Sequence, residues 1–163
     1  MRLVLQDLFS VHPALRGYPV DLSKHGALAL QRAGHTSPAR AGIDHDGLDS
    51  KTEIEWLSQA VALLDVLDSN RVTEDGAEAV ALTYANAKAG WVVKRRLQRG
   101  ESADWLLHKE AGWLALEVSG MIAGDPMARL REKKQQVARC SLPADRLAIV
   151  VALDRPLIVA GSV

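Results

Sequence analysis

The sequence predicts an α/β protein, and three observations lead to that prediction. Two consecutive apolar runs, residues 103–108 and 113–119, have the length and apolar character of strands. An earlier run, 91–98, begins with aromatic and β-branched residues that favour strands, and only short polar turns separate the three runs. Helical patterns precede and follow this group. Because short turns join antiparallel neighbours, we expect the three strands to form a meander.

Residues 1–72 predict a helical, loop-rich N-terminal portion that packs on the core. A short helix is expected over 21–32, with an aspartate as its cap. A second helix is expected over about 50–67, because Ser50 and Glu53 have capping-box spacing. The apolar residues that would share one face of this second helix are Ile54, Leu57, Val61, Leu64 and Leu67.

The core is predicted over 73–163, within one structural domain. Thr73 and the two acids after it suit the start of a helix, and Gly90 suits its end. A helix rich in Lys and Arg is expected over 126–140, and a last apolar run covers 147–153. Since a crossover helix lets the fourth strand pair in parallel, the expected sheet is mixed and has four strands.

Composition and charge limit the classes of function. The 163 residues suffice for one domain, and no apolar run approaches the roughly 20 residues of a membrane span. A single cysteine excludes an internal disulfide framework, so we expect a soluble, cytoplasmic protein. Twenty basic residues balance twenty acidic ones, so affinity for nucleic acid must come from local clusters.

Two basic clusters are present, and either a nucleic-acid contact or a solvated surface explains each of them. The candidate nucleic-acid contacts are Lys94, Arg95, Arg96 and Arg99. The basic series of the second core helix comprises Arg129, Arg131, Lys133, Lys134 and Arg139.

Asp104 and Glu117 are acids set in predicted apolar strands, where burying a lone charge is costly. Two carboxylates that meet across an antiparallel pair can share a divalent cation or a proton. The pattern therefore predicts a metal-dependent phosphodiesterase site. A structural arrangement without metal is the alternative: Asp104 caps its own turn, and Glu117 pairs with a lysine of the following helix.

The order helix, three strands, helix, strand resembles the PD-(D/E)xK nuclease superfamily and its restriction-endonuclease-like core, over about residues 73–160. Asp104 and Glu117 match the motif acids, and Glu78 matches the acid of the first helix. The resemblance implies Mg²⁺ or Mn²⁺ as cofactor, these three carboxylates as its ligands, and DNA or RNA as substrate. Ser119 departs from the motif, because it stands where the family has a lysine.

Some branches of the superfamily supply this lysine from the following helix, where Lys133 and Lys134 are available. Both are candidate catalytic residues, and the apolar stripe of the helix slightly favours Lys134. Ser119 shares a face with Glu117 at a period of two, and Gln136 flanks the stripe, so both are candidate site-lining residues.

Two other classes of function remain open. The first is a catalytically degenerate, nuclease-like module for binding or assembly, which Ser119 and the zero net charge favour. The second is a subunit whose nucleic-acid-binding surface is completed by a partner protein or by a second copy of the chain. Residues 44–49 lack the full calcium-loop pattern and predict an ordinary turn, and the four tryptophans are expected in the core.

Overall fold

The computed structural model describes residues 1–110 and 112–163 and has an α/β architecture. Ala111, in the turn expected before the third core strand, lies outside the described residues. The helices are α1 Leu8–Val11, α2 Leu22–Arg32, α3 Ser69–Ala89 and α4 Pro126–Val137, with 3₁₀ turns at Leu5–Asp7, Pro13–Gly17 and Val61–Asp65. The strands are β1 Arg2–Val4, β2 Ala39–His45, β3 Leu48–Glu55, β4 Val92–Arg96, β5 Trp105–Lys109, β6 Gly112–Met121, β7 Asp145–Ala152 and β8 Leu157–Ser162.

All the described strands belong to one mixed sheet with the order β1-β3-β2-β8-β7-β6-β5-β4. The predicted meander is confirmed, because β4, β5 and β6 pair antiparallel in turn. The predicted parallel fourth strand is also confirmed, since β7 pairs parallel with β6 after the crossover helix α4. The prediction of only four strands is wrong: the sheet has eight, and β8 joins the two halves by pairing with both β7 and β2.

The N-terminal portion is not only helical, because it supplies three strands of this sheet. The helix expected over 21–32 is confirmed as α2, and the Asp21 carboxylate caps it by accepting from the Lys24 amide at 3.1 Å. The helix expected over 50–67 is wrong, because β3 occupies its first residues. Thr52 and Ile54 are buried while Leu57 is exposed, a period of two that outweighs the capping-box spacing.

The expected turn in residues 44–49 is confirmed as the two-residue connection between β2 and β3. Asp46 and Gly47 occupy it with φ of 53° and 80°. Such positive φ values at both central residues favour the Asp-Gly pair of a tight hairpin.

The helices cover the sheet from both faces. α3 packs against β6 and β7 on one face, and α2 packs on α3. α4 packs against β6, β7 and β8 on the other face, where Leu130 and Val137 meet the buried Ala148 and Val150 of β7. α2 and α3 cross closely, since a Cβ at Gly76 would lie 2.7 Å from the Cβ of Ala29.

The tryptophans only partly follow the prediction that all four lie in the core. Trp56 and Trp105 are buried, and Trp91 packs half-buried against the core. Trp113 is 40% exposed. Among residues 1–110 and 112–163, no helix combines the length and the apolar character that crossing a membrane requires.

Candidate active site

The candidate active site lies where β6 extends past the start of β5. β6 pairs with β7 as far as Met121, but within the described chain β5 reaches along β6 only to Leu116. Asp104, just before β5, continues the pairing in an unusual way. Its amide donates to the Leu116 carbonyl at 2.9 Å, and its carboxylate Oδ2 accepts from the Val118 amide at 2.8 Å. The carboxylate of Asp104 thus caps the edge of β6 and not its own turn.

Glu117 is almost fully buried in the middle of β6, with 1% of its surface exposed. Lys133 of α4 donates to its Oε1 at 2.5 Å and to Gln136 Oε1 at 3.1 Å. The other carboxylate oxygen, Oε2, is buried and finds no hydrogen-bond partner among the described residues. Burial, and next the charge of Asp104, raise the pKa of Glu117 although Lys133 opposes the shift. One buried oxygen is therefore left for a cation or a proton.

The two candidate lysines lie in different places. Lys133 is beside Glu117, whereas the Lys134 side chain lies over β8, where a Cβ at Gly161 would be 3.2 Å from Lys134 Nζ. α4 packs across β6, β7 and β8, so adjacent positions of the helix reach different strands. The structure thus places Lys133 at the carboxylate, although the apolar stripe favoured Lys134.

Glu78 and Arg96 form a second ion pair on the α3 side of the sheet. Arg96 Nη1 donates to Glu78 Oε2 at 2.5 Å, and its Nη2 lies 3.8 Å from Asp104 Oδ1. The guanidinium Cζ also lies 4.7 Å from the ring centroid of Trp105 and 5.9 Å from that of Tyr18. Burial raises the pKa of Glu78 to about 7, against the effect of Arg96.

The other predicted nucleic-acid contacts remain on the surface. Lys94 and Arg99 are exposed, and Arg95 makes a bidentate pair with Glu101 at 2.8 and 3.0 Å. Arg96 differs from them, because it turns inward to Glu78 and Asp104. The predicted cluster therefore divides into three surface residues and one residue of the site.

Two adjoining cavities meet at Arg96 and Asp104. The smaller, of about 180 Å³, is lined by Glu74, Glu78, Arg96, Asp104, Val118, Ser119, Gly120, Arg129 and Lys133. The larger, of about 490 Å³, is lined by residues 96–100, 102–104 and Gln136. Ser119 therefore lines the smaller cavity, and Gln136 lines the larger one.

Arg129 lines the smaller cavity, although the sequence indicates it only as one of the basic residues of α4. Its Nε donates to Ser119 Oγ at 3.0 Å, and its Nη1 donates to Glu132 at 2.9 Å. The signal was present in the spacing, because Arg129 and Lys133 are four residues apart and so share a helix face.

Whether the site fits a metal depends on its free oxygens. In the part of the chain that the structure describes, no group of three or more His, Cys, Asp or Glu side chains is arranged to hold a metal ion. Glu78 Oε2 accepts a hydrogen bond from Arg96. Glu117 Oε2 is buried without a hydrogen-bond partner among the described residues, and Asp104 lies beside Glu117. Two carboxylates of this kind suit one hard cation that takes its remaining oxygen ligands from water and substrate.

In comparisons with protein-family models, curated proteins and solved structures, nothing matches the chain significantly. Its function must therefore be inferred from the site itself. The site combines the carboxyl groups of Asp104 and Glu117 with two cations, Lys133 of α4 and Arg96 of β4.

Proposed function

We propose that the chain is a metal-dependent nuclease that hydrolyses phosphodiester bonds of DNA or RNA, with α3, β4 to β7 and α4 as a restriction-endonuclease-like core. The contact between Lys133 Nζ and Glu117 Oε1, beside Asp104, carries this proposal. It brings a lysine to the carboxylates from the helix that follows the strands. Ser119, where the motif would have lysine, has no charge of its own.

Each residue has a distinct part in the proposed chemistry. Asp104 and Glu117 would hold one Mg²⁺ or Mn²⁺, which supplies Lewis acidity toward water and the scissile phosphate when bound. Lys133 stabilises the negative charge that develops on the phosphate oxygens. Arg129, steered by Ser119 and Glu132, lines the smaller cavity as a donor for a phosphate oxygen.

The surface cations extend this site toward the rest of the substrate. Arg99 lines the larger cavity, and Lys94 and Arg95 belong to the exposed edge strand β4. Because the net charge of the chain is zero, binding would depend on this local cluster and would weaken steeply with salt.

Cleavage assays test the proposal. Supercoiled plasmid, single-stranded DNA and RNA are each incubated with the protein in Mg²⁺, in Mn²⁺ and in a chelator. We expect cleavage of at least one substrate that requires the divalent ion, and its loss in Asp104→Asn. Circular dichroism must show that both proteins are folded. A folded wild-type protein that cleaves none of the substrates contradicts the proposal.

A second candidate is a nuclease-like module that binds without cleaving. The two ion pairs favour it, because Arg96 and Lys133 neutralise Glu78 and Glu117 without any metal. In the same experiments this module would bind a labelled oligonucleotide, leave it intact, and respond equally to the divalent ion and the chelator.

A further inference from the structure

We propose that Glu78 is not a metal ligand but a positioning residue for Arg96, and that Arg96 binds a phosphate oxygen of the substrate beside a single metal ion. This inference rests on the nuclease function proposed above. In this arrangement two carboxylates, those of Asp104 and Glu117, bind the metal ion, and Arg96 supplies a positive charge in place of a third metal ligand.

Glu78 already has a strong cationic partner at its oxygen Oε2. Its Oε2 accepts from Arg96 Nη1 at 2.5 Å, and only 6% of the residue is exposed. Charge-assisted hydrogen bonds of this kind are the strong ones. A divalent ion at the same oxygen would have to displace the guanidinium or lie against its positive charge.

Contacts on several sides restrict the guanidinium of Arg96. Its guanidinium is held at one end by Glu78 and lies over the rings of Trp105, which belongs to the core, and Tyr18, which packs against the core. Stacking and planar hydrogen bonds restrict the rotamers of an arginine side chain, whereas an exposed arginine keeps this freedom. The cation at this position therefore needs little reorganisation when a substrate arrives.

The guanidinium of Arg96 still has N–H groups that can donate to a ligand. In the described residues it gives Glu78 one hydrogen bond, out of the five N–H groups of a guanidinium. Its side chain is 34% exposed and lines both cavities, and Nη2 lies 3.8 Å from Asp104. A phosphate at the junction of the two cavities would therefore lie within reach of Arg96.

The first test counts bound Mn²⁺ by electron paramagnetic resonance of the free ion. We expect one Mn²⁺ per wild-type chain, an affinity within about threefold of it for Glu78→Gln, and a loss of at least about tenfold for Asp104→Asn. Arg96→Met should bind Mn²⁺ about three- to tenfold more tightly, because a positive charge near Asp104 is removed. A second Mn²⁺ that disappears in Glu78→Gln overturns this inference and leaves the nuclease proposal standing. A wild-type chain that binds no Mn²⁺ overturns both.

The second test measures binding of a fluorescent single-stranded oligonucleotide in a chelator, by anisotropy. We expect Arg96→Met to weaken binding about tenfold, Arg96→Lys to weaken it less, and Glu78→Gln to weaken it about threefold. Arg155→Met, an exposed arginine outside the site, is the matched control and should bind like wild type.

The double variant Glu78→Gln with Arg96→Met guards against misfolding, because it replaces the ion pair with two neutral groups. It should bind Mn²⁺ at least as well as wild type and the oligonucleotide about tenfold less well. A merely structural role for the pair would lower the two affinities together. Wild-type oligonucleotide binding by both Arg96 variants overturns the inference.

Discussion

His12 and Glu117 are both buried polar residues, and they are satisfied to different degrees. His12 accepts at Nδ1 from the Val93 amide at 3.1 Å, so its Nε2 carries the hydrogen that is donated to the Leu82 carbonyl at 3.1 Å. Glu117 has Lys133 at one oxygen, and its other oxygen has no partner in the described chain.

We interpret the difference as one between a structural polar group, His12, and a group of the proposed site, Glu117. His12 ties the N-terminal segment to α3 and β4, and as a neutral ring it has a partner on each nitrogen. Glu117 is a buried carboxyl group with one oxygen unsatisfied, which weakens the fold. A buried polar atom left open in this way needs a reason, and a ligand at that position supplies one. The predictions below test this contrast between His12 and the site.

The largest expected effect is on catalysis. Lys133→Met keeps most of the aliphatic volume and removes the charge, so we expect the cleavage rate to fall about 10²–10³-fold. Thermal unfolding should show a folded protein. The measurement is the single-turnover rate on the substrate that the cleavage assay identifies.

Lys134→Met is the control for this change, since Lys134 is its neighbour in sequence but lies over β8. It should cleave like wild type. Adding Ser119→Lys to the Lys133→Met variant should restore part of the rate, because residues 117 and 119 project to one face of β6. If Lys133→Met cleaves as fast as wild type, the role assigned to this lysine is wrong.

The second effect is on stability. His12→Ala removes both hydrogen bonds and leaves a cavity, so the free energy of unfolding should fall by about 3 kcal/mol. Urea denaturation at constant pH measures it. His108→Ala is the control: its half-exposed ring only lies beside Trp113, and the expected loss is below about 1 kcal/mol. Equal losses in the two variants would contradict the structural role of His12.

The parts of the fold that the sequence predicts are those set by local patterns. β4 to β7 were predictable because apolar runs and short turns lie close together in the chain. β2 and β8 were missed, because they pair with each other across more than a hundred residues. Ala39 and Ala41 of β2 are poor strand formers, and only their place inside a sheet makes them strand residues.

The candidate site shows the same limit. Asp104 and Glu117 could be found because acids in apolar strands are conspicuous. Arg96 is predicted from the sequence only as one of four candidate nucleic-acid contacts, because the register shift between Val93 and Arg95 breaks the alternation of β4. The shift sets Arg96 opposite Trp105, on the side of Glu78. A bulge of this kind re-aims side chains and leaves little trace in the sequence.

The third effect is thermal stabilisation by metal. If Asp104 and Glu117 hold one ion, Mn²⁺ at about 100 times its Kd should stabilise the fold by about 2.7 kcal/mol and raise Tm by several degrees. Differential scanning fluorimetry with Mn²⁺ and with chelator measures the shift. Asp104→Asn should abolish it, and His108→Ala should retain it. A wild-type Tm that is unchanged by Mn²⁺ would favour the alternative in which Glu117 pairs with Lys133 and no metal binds.

The smallest effects are two opposite pH dependences of stability. Burial lowers the pKa of His12 below its ordinary 6.5, so its contribution is present above pH 6.5 and is lost as the pH falls below that value. Burial raises the pKa of Glu117, and that of Glu78 from 4.5 to about 7. Their contributions are present below about pH 4.5 and are lost as the pH rises through the folded values.

Removing the two glutamates should therefore abolish the loss of stability that accompanies rising pH and leave the contribution of His12 unchanged. Between about pH 6 and 8, wild type should lose about 1 kcal/mol of unfolding free energy that the double variant Glu78→Gln with Glu117→Gln keeps. Below pH 6.5 both proteins lose the contribution of His12, but only wild type recovers the contribution of the two glutamates as the pH falls toward 4.5. Urea midpoints across the range measure this. A double variant that keeps the full loss of stability between pH 6 and 8 would show that these two carboxyl groups are not its source and would contradict this prediction.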